Sequence, residues 1–134
     1  LRQRNHKFLT IYSGEVLTAD KEKGLVGECD FIIARDTQSY DISWPLFMLV
    51  EAKKNDLEEG VRQCAAQMVG ARVFNQKKGI ELGKIYGCST TGMDWHFLEL
   101  SDQLYVDNRT YYLVELQELL GIFQSIIDYY KQHV

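Results

Sequence analysis

The spacing of apolar and polar residues changes several times along the chain, and each change predicts an element. "KFLTIYSGEVLTA" (7–19) is rich in β-branched and aromatic residues and predicts a strand, with a bulge expected at Gly14. "GECDFIIAR" (27–35) predicts a second strand. "PLFMLVEAK" (45–53) predicts a third, buried on both faces, with Pro45 at its first position, where a missing N–H is tolerated. "DKEKG" reads as a polar turn and "DTQSYDIS" as loop. After the third strand the period becomes helical. Asp56 with Glu59 three residues on forms a capping-box-like start, and the helix is expected to run to about Gln76, ahead of "KKG". "KIYGCST" (84–90), "DWHFLEL" and "LYVDNRTYYL" predict further strands. In the closing "VELQELLGIFQSIIDYYKQHV", Leu116, Leu119, Leu120, Phe123, Ile126, Ile127 and Tyr130 recur at i, i+3, i+4 and predict a helix with a core-facing stripe.

This order implies an α/β class domain with a mixed sheet. Short connections make strands one to three an antiparallel meander. The long helix allows the fourth strand to return parallel to the third. At 134 residues the chain matches one ordinary domain. It opens on Leu rather than Met, so residues ahead of Leu1 are expected.

Composition narrows the function classes. An apolar fraction of 46% excludes a disordered polar chain, and no apolar run approaches the ~20 residues of a membrane helix. Cys29, Cys64 and Cys88 are odd in number and lack C-x-x-C spacing, which suits small apolar residues in a reducing cytoplasm. With His6, His96 and His133 equally scattered, zinc has little support. A net charge of −4 disfavours a broad polyanion-binding surface and leaves only local patches, Arg2, Arg4 and Lys7 or the pair Lys77 and Lys78.

The chemistry concentrates at "FMLVEAKKN" (47–55). Side chains alternate along a strand, so Glu51 and Lys53 share a face. A hairpin register centred on Tyr40 and Asp41 sets Asp30 across from Glu51, with Cβ atoms ~5 Å apart. Two carboxylates that close repel one another, and a divalent cation relieves the repulsion. Oxygen ligands from both acids, the Ala52 backbone carbonyl and water suit Mg²⁺ or Mn²⁺, and Lys53 would orient or deprotonate an attacking water. The plainer alternative is a rim cluster in which Lys53 merely neutralises two acids. On the following helix Gly60, Gln63, Gln67 and Gly70 fall on one stripe, opposite an apolar side of Leu57, Val61, Cys64, Ala65 and Met68. Glycine costs ~1 kcal/mol in a helix relative to Ala. Two on one stripe therefore imply close approach of a ligand or backbone, or simply tight packing.

"GECDF", "VEAKK" and a helix carrying "RQCAAQ" together resemble the PD-(D/E)XK nuclease superfamily, especially the nuclease domain at the N-terminus of type I restriction motor subunits. The resemblance spans about residues 8 to 92. It implies a restriction-endonuclease-like core and a Mg²⁺-dependent nuclease, with DNA the expected substrate. Asp30 and Glu51 would be metal ligands, Lys53 the water-assisting residue, and Gln63 or Gln67 a helix residue near the active site. Glu15 is the nearest candidate for the family's further acid. Two departures stand out: Cys29 takes the place of the Pro, and Ala71 that of a Tyr four residues beyond Gln67. A non-catalytic nucleic-acid- or protein-binding module on the same fold, and an assembly domain that dimerises through its aromatic last third, remain the alternatives.

Overall fold

The computed structural model describes residues 9–20, 25–35, 46–52 and 57–133, with the backbone alone at 9–29, 46–49, 57 and 133 within those ranges. Three long strands come first: β1 (Leu9–Asp20), β2 (Leu25–Arg35) and β3 (Leu46–Ala52). Helix α1 (Leu57–Lys77) follows, then β4 (Ile85–Thr90) and β5 (Asp94–Leu100). The expected last strand is two short ones, β6 (Leu104–Val106) and β7 (Tyr111–Tyr112), both paired with β5. A 3₁₀ turn over Leu113–Glu115 leads into α2 (Leu116–His133).

The strands form one mixed sheet in the order β1-β2-β3-β4-β5-β6, with β7 also on β5. The β1–β2–β3 meander is antiparallel, and β3 and β4 are parallel across the α1 crossover, as the order of elements predicted. The bulge expected at Gly14 is absent. Ser13 pairs with Phe31 and Glu15 with Cys29 in unbroken register, and the irregularity falls between Thr18 and Asp20 instead, next to the strand end. Glycine permitted a bulge there but did not require one.

Side-chain alternation divides the core in two. Ile32, Ala34, Ile85, Leu98 and Leu100 face α1 and pack with Cys64, Met68 and Ala71. Ile33, Val50, Cys88 and Phe97 face the other way, against Leu119, Ile126, Ile127 and Tyr130 of α2. Helix, sheet and helix thus form three layers. Helix α1 lies close on β4: a Cβ on Gly87 would stand 2.4 Å from Met68 Sδ and 2.7 Å from Cys64 Sγ. Gly60 and Gly70 of the helix stripe are also buried. The helix ends as its sequence suggested, with Gly79 at φ +77° and the Ile80 N–H donating to the Asn75 carbonyl at 2.9 Å.

The α2 stripe is only partly covered. Leu119, Ile126, Ile127 and Tyr130 are buried, whereas Leu116 and Leu120 of the first turns are exposed. Among the described residues, no helix is long and apolar enough to cross a membrane.

Candidate functional site

Strand β2 pairs with β3 through Phe31↔Val50, Ile32↔Leu49 and Ile33↔Met48. Continuing that register by one residue sets Asp30 opposite Glu51, the pairing expected from the sequence, although toward the loop the register shifts and Ala34 faces Leu46. Both acids belong to the α1 face, because Asp30 alternates in step with Ile32 and Ala34. The Ala52 N–H donates to Asp30 Oδ2 at 2.9 Å, tying the first carboxylate to the end of the strand that carries the second.

Glu51 is only 6% exposed, an unusual burial for a carboxylate. From the helix above, the Gln67 amide Nε2 donates to Glu51 Oε2 at 2.8 Å. Gln63 points elsewhere: its amide donates to Glu59 Oε1 at 3.0 Å, and Glu59 also accepts from Arg62 Nη2 at 2.6 Å. The sequence left Gln63 and Gln67 as equal candidates; of the two, Gln67 is the one that reaches Glu51. Four residues of helix, about 6 Å of rise, separate the two glutamines.

Lys53, Asp56 and the basic cluster Arg2, Arg4 and Lys7 lie outside the described residues, as do Pro45, the loop expected at 36–43 and all of the expected turn "DKEKG" but Asp20, which ends β1. Glu15 pairs with Cys29, one position out of step with Asp30. Alternate positions belong to opposite faces of a sheet, so this register does not place Glu15 on the face shared by Asp30 and Glu51. Lys77 and Lys78 are exposed at the far end of α1, with Lys78 Nζ 5.6 Å from the Phe74 ring centroid. Cys64 and Cys88 are thiols outside any disulfide, buried in opposite core layers, and burial pushes the Cys88 thiol well above the usual range.

The donor set suits a hard cation. Among the described residues, no three His, Cys, Asp or Glu side chains gather as a metal cage. Mg²⁺ needs less: it keeps several waters and takes one or two carboxylates, a number that Asp30 and Glu51 could supply. A carboxylate offers about four lone-pair sites. The Ala52 N–H on Asp30 Oδ2 and the Gln67 amide on Glu51 Oε2 orient the two groups.

The sheet extends this site in a way the sequence did not reveal. Glu51 pairs with Ser89 and Ser89 with His96, so Asp30, Glu51, Ser89 and His96 form one polar row on the α1 face. Ser89 is 1% exposed. The β4–β5 turn closes the same end of the sheet: Thr90 Oγ1 donates to the Asp94 carbonyl at 2.8 Å and accepts the Gly92 N–H at 2.9 Å, with Gly92 at φ +97°. In sequence, Ser89 and His96 were ordinary members of two predicted strands. Only the parallel pairing across α1 brings them into line with the acids. Comparison with family models, with curated proteins and with solved structures found no match.

Proposed function

We propose that the chain is a divalent-cation-dependent nuclease of the restriction-endonuclease-like fold, hydrolysing phosphodiester bonds, with DNA as the substrate. The observation that carries this reading is the placement of Asp30 and Glu51 opposite one another at one sheet end, with Gln67 bound to Glu51. Asp30, Glu51 and the Ala52 backbone carbonyl would hold the ion. Mg²⁺ or Mn²⁺ bound there would lower the pKa of a coordinated water and offset charge on the scissile phosphate.

The remaining work falls to the chain itself. The Ala52 N–H holds Asp30 in place, and Gln67 holds Glu51, so both ligands are preorganised before a metal arrives. Lys53, two residues after Glu51, would orient the attacking water and draw its proton toward solvent. Burial of Glu51 keeps water from competing for the same oxygens. A rim cluster that merely balanced charge would not need a helix amide committed to one buried carboxylate.

The test is cleavage of plasmid and of labelled duplex with Mg²⁺ or Mn²⁺. Asp30→Asn, Glu51→Gln and Lys53→Ala should each lower the rate at least ~100-fold. Gln67→Ala should cost about 10–100-fold in metal affinity or rate. Cleavage that persists in Asp30→Asn and Lys53→Ala would belong to a contaminant, and Glu51-independent Mn²⁺ uptake would return the chain to a non-catalytic binding module.

A further inference from the structure

We infer that His96 is a positioning residue for Glu51, acting through Ser89 along the polar row. The inference rests on the nuclease reading of the same site. His96 belongs to the α1 face, since Leu98 and Leu100 of the same strand pack in the α1 core and alternate in step with it. Its Nε2 is closed off from solvent and meets no hydrogen-bond partner among the described residues. Buried polar atoms in that condition are rare and call for a reason. Trp95 Nε1 next door is in the same condition, but Trp95 packs its ring 6.0 Å from Phe123 on the α2 side, away from the acids.

Thr110 meets the other ring nitrogen. The Trp95↔Tyr111 register brings Thr110 beside His96, with Thr110 Oγ1 3.5 Å from His96 Nδ1. If the Thr110 hydroxyl donates to Nδ1, the neutral ring carries its proton on Nε2 and offers it as a donor. Ser89 pairs directly with both His96 and Glu51, and cross-strand neighbours stand ~5 Å apart at Cβ. A serine hydroxyl accepts and donates at once. Rotation of Ser89 Oγ lets it accept from His96 Nε2–H and donate to the Glu51 carboxylate. Glu51 is then held from two directions: by Gln67 from the helix and by Ser89 from the sheet. A cation entering between Asp30 and Glu51 would change this second hold, because it draws on the same carboxylate. His96 stands two strands from Glu51, ~10 Å, too far to be a ligand itself.

Two measurements test this on the intact chain. In ¹⁵N spectra of the imidazoles, assigned with His96→Gln, the His96 Nε2 resonance should move on Mg²⁺ addition, and should not move in Glu51→Gln. In calorimetry His96→Phe should weaken Mn²⁺ binding about 10-fold, and His96→Gln, which keeps a donor, should recover most of it. Glu51-dependent Mn²⁺ uptake with His96→Phe equal to wild type and a stationary Nε2 resonance overturns the role of His96 and leaves the nuclease reading standing. Failure of any Glu51-dependent uptake removes both. If His96→Phe does not fold, the wild-type resonance decides alone.

Discussion

At the scale of single residues, Gly87 sets the distance between α1 and the sheet. The strand position faces the helix, and a methyl there would fall 2.4 Å from Met68 Sδ and 2.7 Å from Cys64 Sγ. Gly87→Ala should therefore destabilise the fold by about 1–3 kcal/mol, the range for overpacked cores, as read by urea unfolding. Met68 can swing aside, but Cys64 is short and has little freedom. Adding Cys64→Ala to Gly87→Ala should restore part of the loss, giving a favourable coupling in a double-mutant cycle. An unchanged midpoint in Gly87→Ala would mean that the helix rides higher than described. The same close approach brings Gln67, one residue before Met68, down to Glu51. Sequence spacing proposed this carboxylate and two glutamines, but a one-turn difference in helix height selected between them, and no local signal encodes helix height.

Among the elements, α2 shows which part of a periodic pattern is legible. Its i, i+3, i+4 stripe correctly located the helix and most of its buried side: Leu119, Ile126, Ile127 and Tyr130. Leu116 and Leu120 obey the same period yet are exposed, together with Leu113 and Val114, the last 92% accessible. Periodicity defines a face, whereas coverage depends on how far the sheet beneath extends, and β7 is only two residues long. Ile127→Ala should cost about 2–5 kcal/mol, while Leu116→Gln and Leu120→Gln should stay within about 0.5 kcal/mol of wild type. Thermal melts of the three variants would separate these cases, and a large loss in Leu116→Gln would place a partner on that turn.

Across the whole molecule, the end of α2 is tied to the sheet by a cluster of aromatic and charged groups. Tyr86 stands edge-on to Tyr129 and Tyr130 at 6.2 and 6.0 Å, Tyr130 Oη donates to the Lys84 carbonyl, and Lys84 Nζ pairs with Glu99 at 3.4 Å. Burial, with Glu99 as hydrogen-bond partner and neighbouring negative charge, pushes the Tyr86 phenol up to about 12, and burial raises Tyr130 further. The folded state thus prefers the neutral phenols. Their contribution is complete below the ordinary phenol value of ~10 and is lost as pH rises through about 12. Unfolding free energy measured at pH 8, 10 and 11.5 should fall only across the upper interval. Tyr86→Phe should flatten part of that fall, and an equal slope in the variant would remove Tyr86 as a cause. The amino-acid sequence by itself determined the element order, the antiparallel meander, the crossover helix and the two acids on neighbouring strands, because period, caps and short connections act over a few residues. Tertiary structure alone decided that Gln67 rather than Gln63 meets Glu51, that Glu15 falls out of step with Asp30, and that Ser89 and His96 complete a row. Each of these depends on register between segments distant in the chain, where pairing and packing of the assembled sheet outweigh any local preference.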